Sequence, residues 1–465
     1  MRVALALLVV GLLAGSANGA GSGHDWTRFG WSLSRSNAFP FATGITAANV
    51  GSLRRRQVQL EGTADSSPIY LHGVTVNGKK HDVFFVTTTY GRTVAIDASS
   101  AAVLWRFTPP GYSGWAGSAQ ITTATPVADP GRAAIYAAAP NGDIYKLAVA
   151  DGHMEWSASI TRLPSREKIA SALNYWRGHV IATTGGYIGD APPYQGHVAV
   201  IRASDGTLLH VWNSLCSDRS GLLVPASCPS SDSAIWGRAG AVVDPANGHL
   251  LVATGNGPWD GRRNWGDAVL RLSADASRLL GNYTPANTAE LNASDEDLGS
   301  TSPVLLSARY LAQAGKDGRI RVLRVARMRG TAPHKGREVQ VVVAPSGGDV
   351  FTAPAVWRRS SATWMFVADN GSADAWRFRR GRLTRAWSGR APGTSPVVAG
   401  GLLWVYNPNG GLNVYIPGTG RGVAQLSAGS GHWNSPIVVD GRVALPEGDA
   451  NHHTTSGVLD IWRLR

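Results

Sequence analysis

The stretch from Ser67-Pro68-Ile69-Tyr70 through Val83-Phe84-Phe85-Val86 and Thr93-Val94-Ala95-Ile96 to Trp105 holds one complete copy of a unit that the chain writes eight times. The other seven copies open on Thr125-Pro126-Val127-Ala128, Ala172-Leu173-Asn174, Ala239-Gly240-Ala241-Val242, Ser302-Pro303-Val304-Leu305, Ala353-Pro354-Ala355-Val356, Ser395-Pro396-Val397-Val398 and Ser435-Pro436-Ile437-Val438. The openings recur at intervals of roughly 40 to 67 residues, the range of radial β arrays. Each is followed by a second apolar run, as in Ala134-Ile135-Tyr136-Ala137 or Leu250-Leu251-Val252-Ala253, then by a glycine turn and a third run. Short alternating runs bounded by Gly, Asn and Asp turns predict four strands per unit. Proline has no N–H to give a ladder, so it suits the first residue of a strand. The expected fold is all-β, a single eight-bladed β-propeller over residues 25–465 that leaves only short, protected sheet edges.

Aromatic residues close most units: Trp105, Trp156, Trp212, Tyr283, Trp387 and Trp462. A large apolar ring is what two twisted sheets need between them, so these side chains are expected to pack blade against blade. The 56 Gly, 25 Pro and 43% apolar content agree with a large all-β globule.

Residues 1–20 read as a signal peptide: a basic Met1-Arg2, an apolar Val3 to Leu13 too short to span a bilayer, and the small residues Ala17-Asn18-Gly19-Ala20. The mature chain is therefore expected to be exported, in the periplasm, at the cell surface or outside the cell, with no transmembrane segment. Cys216 and Cys228 are the only cysteines. An exported setting permits a disulfide between them, with two free thiols as the alternative. The net charge of +13 is carried mainly by arginine, with clusters at Arg54-Arg55-Arg56, between Arg319 and Arg337, and from Arg377 to Arg390. Such a surface can attract anionic polymers or lipid headgroups, or it is a solvated, arginine-biased face. Export and the lack of a nucleic-acid motif argue against nucleic acid as a partner.

Asp25-Trp26, Gly44-Ile45-Thr46 and Asn49-Val50-Gly51-Ser52-Leu53, together with the blade pattern Val94-Ala95-Ile96-Asp97 to Leu104-Trp105, resemble the pyrroloquinoline quinone (PQQ) alcohol dehydrogenases, the quinoproteins. The resemblance covers most of residues 25–465 and implies their eight-bladed propeller. Trp236-Gly237 followed by Thr254-Gly255-Asn256-Gly257-Pro258-Trp259 is similar to the family's central motif. On that likeness Trp236 is the ring stacked against PQQ, and Asn256 is a cofactor-site residue and calcium ligand. Leu291-Asn292-Ala293-Ser294-Asp295-Glu296-Asp297 resembles the acidic stretch carrying the base that takes the alcohol proton. Asp297 is the closest match, as base and second calcium ligand, with Asp295 next. Gly315-Lys316-Asp317-Gly318 resembles the strand whose basic residue meets the quinone oxygens, which assigns that place to Lys316. A flat cofactor wants an aromatic floor, and Ca²⁺ wants hard oxygen ligands. Without the resemblance, the same residues read as a core tryptophan, a turn asparagine, a solvated acid and a hairpin lysine.

Two departures stand out. The family's adjacent cysteine pair is absent where Gly111-Tyr112-Ser113-Gly114-Trp115 stands, and Tyr187 falls where a calcium-binding Glu is expected. No haem-attachment Cys-x-x-Cys-His is present. Two functions follow from the resemblance. One is a PQQ- and calcium-dependent oxidoreductase acting on an alcohol or polyol. The other is a noncatalytic scaffold like the PQQ-like propeller of the outer-membrane barrel-assembly machinery, with an envelope protein as partner.

Overall fold

A computed structural model describes residues 23–464; the expected signal peptide lies outside these. Eight four-stranded antiparallel sheets stand side by side. Blades 1 to 7 span 69–107, 127–159, 174–213, 242–283, 304–343, 355–388 and 397–426. Blade 8 spans 437–463 and is completed by Arg54–Leu60. In six blades the repeated proline sits one residue before the first strand: Pro68 before Ile69, Pro126 before Val127, Pro303 before Val304, Pro354 before Ala355, Pro396 before Val397 and Pro436 before Ile437. The ladder therefore begins where the missing N–H no longer matters. First strands of neighbouring blades approach one another around the axis, so the small-Pro motif marks the innermost strand.

The closing tryptophans pack blade on blade. Trp105, Trp156 and Trp387 donate their Nε1–H to the carbonyls of Val149, Ala203 and Pro417, each in the following blade, at 2.9, 3.1 and 2.8 Å. Each ring lies on a glycine of that blade with positive φ, Gly152, Gly206 or Gly420, where a Cβ would come within 2.5 to 2.9 Å of the indole. The left-handed turn and the flat approach both require glycine there.

The strand Arg54–Leu60 was not expected. It pairs antiparallel with the last strand, Gly457–Arg463, from Arg54 opposite Arg463 to Leu60 opposite Gly457. The basic run Arg54-Arg55-Arg56 thus serves ring closure, and Arg55 Nε meets Asp460 at 2.7 Å. Before it, residues 24–43 form a clasp across one end of the ring. Trp26 pairs with Tyr70 of blade 1, and the Thr27, Leu33, Ser36 and Asn37 carbonyls accept from Ala128, Val243, Val356 and Val398 of blades 2, 4, 6 and 7. Arg35 is fully buried with no carboxylate partner among the described residues, and donates to the carbonyls of Phe29, Ala172 and Leu173 at 2.8, 3.2 and 2.7 Å. Cys216 and Cys228 form the disulfide, with Cα atoms 6.2 Å apart. Among the described residues no helix is long and apolar enough to cross a membrane.

Leu459 is fully buried opposite Val58 in the closing pair. Leu459→Ala is expected to cost about 2–5 kcal/mol of unfolding free energy, read from denaturant melts, because the cavity forms where a strand from each end of the chain meets.

Candidate functional site

The clasp meets the inner strands at their second residues, and the ring also carries two kinds of loop: those leading into the first strands, and those leaving the second strands. Both kinds line one cavity of about 350 Å³. Trp236, Asn256, Asp297 and Lys316, the four residues singled out in the sequence, all line it. Trp236 precedes the inner strand of blade 4, Asn256 follows the second strand of that blade, Lys316 follows the second strand of blade 5, and Asp297 lies in the connection between the two blades.

Asp297 is the centre of this group and is only 3% exposed. Its Oδ1 accepts the Asn256 backbone N–H at 2.7 Å, and its Oδ2 lies 2.5 Å from Lys316 Nζ. Its own carbonyl accepts the Lys316 N–H at 3.0 Å, which ties the acidic loop to the lysine turn twice. Gly255 makes the approach possible, since a Cβ there would stand 1.9 Å from Asp297 Oδ1. Burial pushes the Asp297 carboxyl above the usual carboxylate range, against the opposing pull of the Lys316 ammonium and the Asn256 N–H. Burial also works against the charge on Lys316, but the Asp297 carboxylate outweighs it and raises the lysine above its ordinary value. Exposed Asp295 adds a second contact to Lys316 Nζ at 3.1 Å. Beneath the loop, Asp267 accepts the Leu298 N–H at 2.9 Å. Burial, reinforced by the charge of Asp297, pushes its carboxyl up to about 8, so it is largely protonated at neutral pH.

The apolar wall is larger than the sequence indicated. Trp236, Phe351 and Trp433 form a triangle with ring centroids 5.7 to 5.9 Å apart, and Lys316 Nζ lies 5.6 Å from the Trp236 ring centre. His432 stacks on Trp433 at 4.0 Å and 23°. Lys168, 7% exposed, also lines the cavity, and its ammonium has no hydrogen-bond or ion-pair partner among the described residues. Burial lowers it to about 8, with the charge of Asp65 opposing. Phe351, Trp433, Lys168, His432 and Asp65 were all missed. A usable signal exists: Asp65, Ala170, Phe351 and Trp433 each stand three residues before the second residue of a repeat opening, one shared register on separate blades.

The calcium implied by the resemblance does not fit this arrangement. Both Asp297 oxygens already accept donors, and one of those donors is an ammonium at 2.5 Å. Asn256 would add only a neutral oxygen, and the Tyr187 hydroxyl donates to the Pro164 carbonyl at 2.9 Å. A divalent cation between Asn256 and Asp297 would have to displace the Lys316 ammonium, which both Asp297 and Asp295 hold here. As the side chains stand, Asn256 and Asp297 present no open calcium site. The segment Gly111–Trp115 does not line the cavity but packs beside it, with Tyr112 and Trp115 in one cluster with Tyr187 and Trp115 Nε1 donating to the Tyr90 carbonyl at 3.1 Å.

Gly255→Ala is expected to push Asp297 off the Asn256 N–H and cost about 1–3 kcal/mol by overpacking, seen as a lowered melting temperature. Gly51→Ala, with open space around it, is the control.

A family model described as outer membrane protein assembly factor BamB matches residues 46–218, less than half of the chain. A search of curated proteins finds no match. Among solved structures, a quinohemoprotein alcohol dehydrogenase from Comamonas testosteroni superposes with a TM-score of 0.66 at 15% identity, over 95% of this chain and 80% of that one. A europium-containing methanol dehydrogenase gives 0.69 at 16% identity, over 95% and 98%. BamB from Moraxella catarrhalis gives 0.54 at 13%, over 89% and 98%. At such identities the likeness is one of fold, and the chain is an eight-bladed, PQQ-like β-propeller, a fold shared by dehydrogenases and by BamB.

Proposed function

We propose that this protein is an exported, quinoprotein-like oxidoreductase whose cavity holds a flat, anionic quinone of the PQQ type and oxidises an alcohol or polyol. The observation that carries the reading is the convergence of Trp236, Asn256, Asp297 and Lys316 on one cavity that also presents Phe351, Trp433 and Lys168, whose ammonium is unpartnered among the described residues. Three aromatic rings suit a planar ligand, and a buried ammonium without a partner suits a carboxylate on it. The cofactor, when bound, supplies the two-electron acceptor. Trp236, Phe351 and Trp433 stack against it and exclude water; Lys168 and Lys316 offset its negative charge. Asp297 accepts the hydroxyl proton of the alcohol once Lys316 turns toward the cofactor oxygens, since desolvation leaves the freed carboxylate a stronger base than one in water.

A second reading, a docking scaffold for an envelope protein, is favoured by one feature. The outer strand of blade 5, Gln340–Val343, leaves Val341 and Val343 about half exposed on a sheet edge bridged to blade 6 by the Gln340 and Arg385 side chains, and an extended partner segment would dock there.

The deciding experiment adds PQQ to the mature chain, with and without Ca²⁺, and follows thermal stability and tryptophan fluorescence. Micromolar binding with equal stabilisation in both conditions is expected, weakened about tenfold or more by Trp236→Ala. Asp297→Asn is expected to keep the cofactor and lose dye reduction. No binding would remove the oxidoreductase reading and leave the scaffold.

A further inference from the structure

Around Trp433 the cavity carries a second polar group that the function above does not use. His432 Nδ1 lies 2.7 Å from Asp65 Oδ2 and 3.4 Å from Asp449 Oδ1. Asp65 is 1% exposed and rigidly held: its Oδ1 accepts the Trp433 N–H at 2.9 Å, and its Oδ2 also accepts the Ala450 N–H at 3.3 Å. Burial favours its neutral form, yet His432, the Arg238 guanidinium and the Trp433 N–H together hold its carboxyl at about 2, so it is an anion at neutral pH.

The three side chains could be taken for a metal centre, since one ligand atom from each lies within 4.8 Å of the others. Two facts argue against it. Both Asp65 oxygens already take backbone N–H groups, and Asp449 Oδ1 takes the Asn451 N–H at 2.8 Å. Two buried cations also stand close by. Arg238 donates to the Asp65 carbonyl at 2.8 Å, and Lys168 feels the charges of Asp65 and Asp449. A divalent ion would meet depleted ligands and like-charge repulsion.

What remains is an imidazole with one nitrogen fixed. A buried carboxylate at Nδ1 places the proton there and leaves the lone pair of the neutral ring on Nε2. Stacking on Trp433 holds the ring plane. Nε2 has no hydrogen-bond partner among the described residues, and His432 lines the cavity. We propose that Asp65 and His432 form an acid–base dyad in which His432 Nε2 accepts the proton of a ligand hydroxyl bound beside Trp433. The O–H bond breaks, its electron pair stays on oxygen, and the proton moves to Nε2; Asp65 stabilises the imidazolium that forms and is itself a positioning residue. The proposal rests on the cavity being a ligand site and gives that site a proton acceptor besides Asp297.

The test reads the tautomer and the reactivity of His432 without needing turnover. In ¹⁵N-histidine-labelled protein, the resonances lost in His432→Gln are expected to show a protonated Nδ1 and a bare Nε2. Diethyl pyrocarbonate, mapped by mass spectrometry, is expected to label His432 in the wild-type chain. In Asp65→Asn the amide can donate to Nδ1 and drive the proton to Nε2, and labelling is expected to slow about tenfold. Asp449→Asn is expected to keep it. A protonated Nε2 in the wild-type chain, absence of labelling, or stoichiometric micromolar Zn²⁺ binding lost in His432→Gln would overturn the dyad. Should Asp65→Asn fail to fold, the wild-type tautomer still decides. Protection by PQQ separates the two proposals: rapid labelling that PQQ never blocks keeps the dyad and removes the cofactor reading.

Discussion

The seven-residue pairing of Arg54–Leu60 with Gly457–Arg463 is the interaction on which the rest depends. An array of twisted sheets has a first and a last member, and here one strand from near the start of the chain completes the last blade, so the two are fastened into a ring. Closure fixes the blade count and the width of the channel. It also allows side chains as distant in sequence as Asp65 and His432 to stand 2.7 Å apart. The clasp of residues 24–43 ties inner strands of most blades to one segment and closes one end, which leaves the loop-built end as the place for a cavity.

Within that cavity electrostatics decide the chemistry. Asp297 is desolvated, compensated by one ammonium and one backbone N–H, and supported from below by a carboxyl that is largely neutral. A buried carboxylate needs such compensation, and a lysine can supply it as well as a divalent ion can. The charge that the resemblance assigns to calcium is provided here by Lys316, held by Asp297 and Asp295 together.

The repeat made the fold legible, because proline before a strand and an aromatic at its end are local statements about ladders and packing. Trp236, Asn256, Asp297 and Lys316 were legible through those motifs of the resemblance that fall on blades 4 and 5. Phe351, Trp433 and Lys168 were not, since each lies on a different blade and only ring closure brings it to the axis. Their shared feature was positional: Phe351 and Trp433 occupy the register three residues ahead of the repeat opening, where Asp65 and Ala170 also stand. The closing strand escaped notice for a related reason. Its run of arginines reads as surface charge, and its partner is some four hundred residues away.

The most direct test of the account is a crystal structure of the mature protein grown with PQQ and Ca²⁺. The account predicts a planar ligand against Trp236, Phe351 and Trp433, a ligand carboxylate at Lys168, and no metal between Asn256 and Asp297. A calcium ion coordinated by those two residues, or a ligand seated outside this cavity, would contradict it.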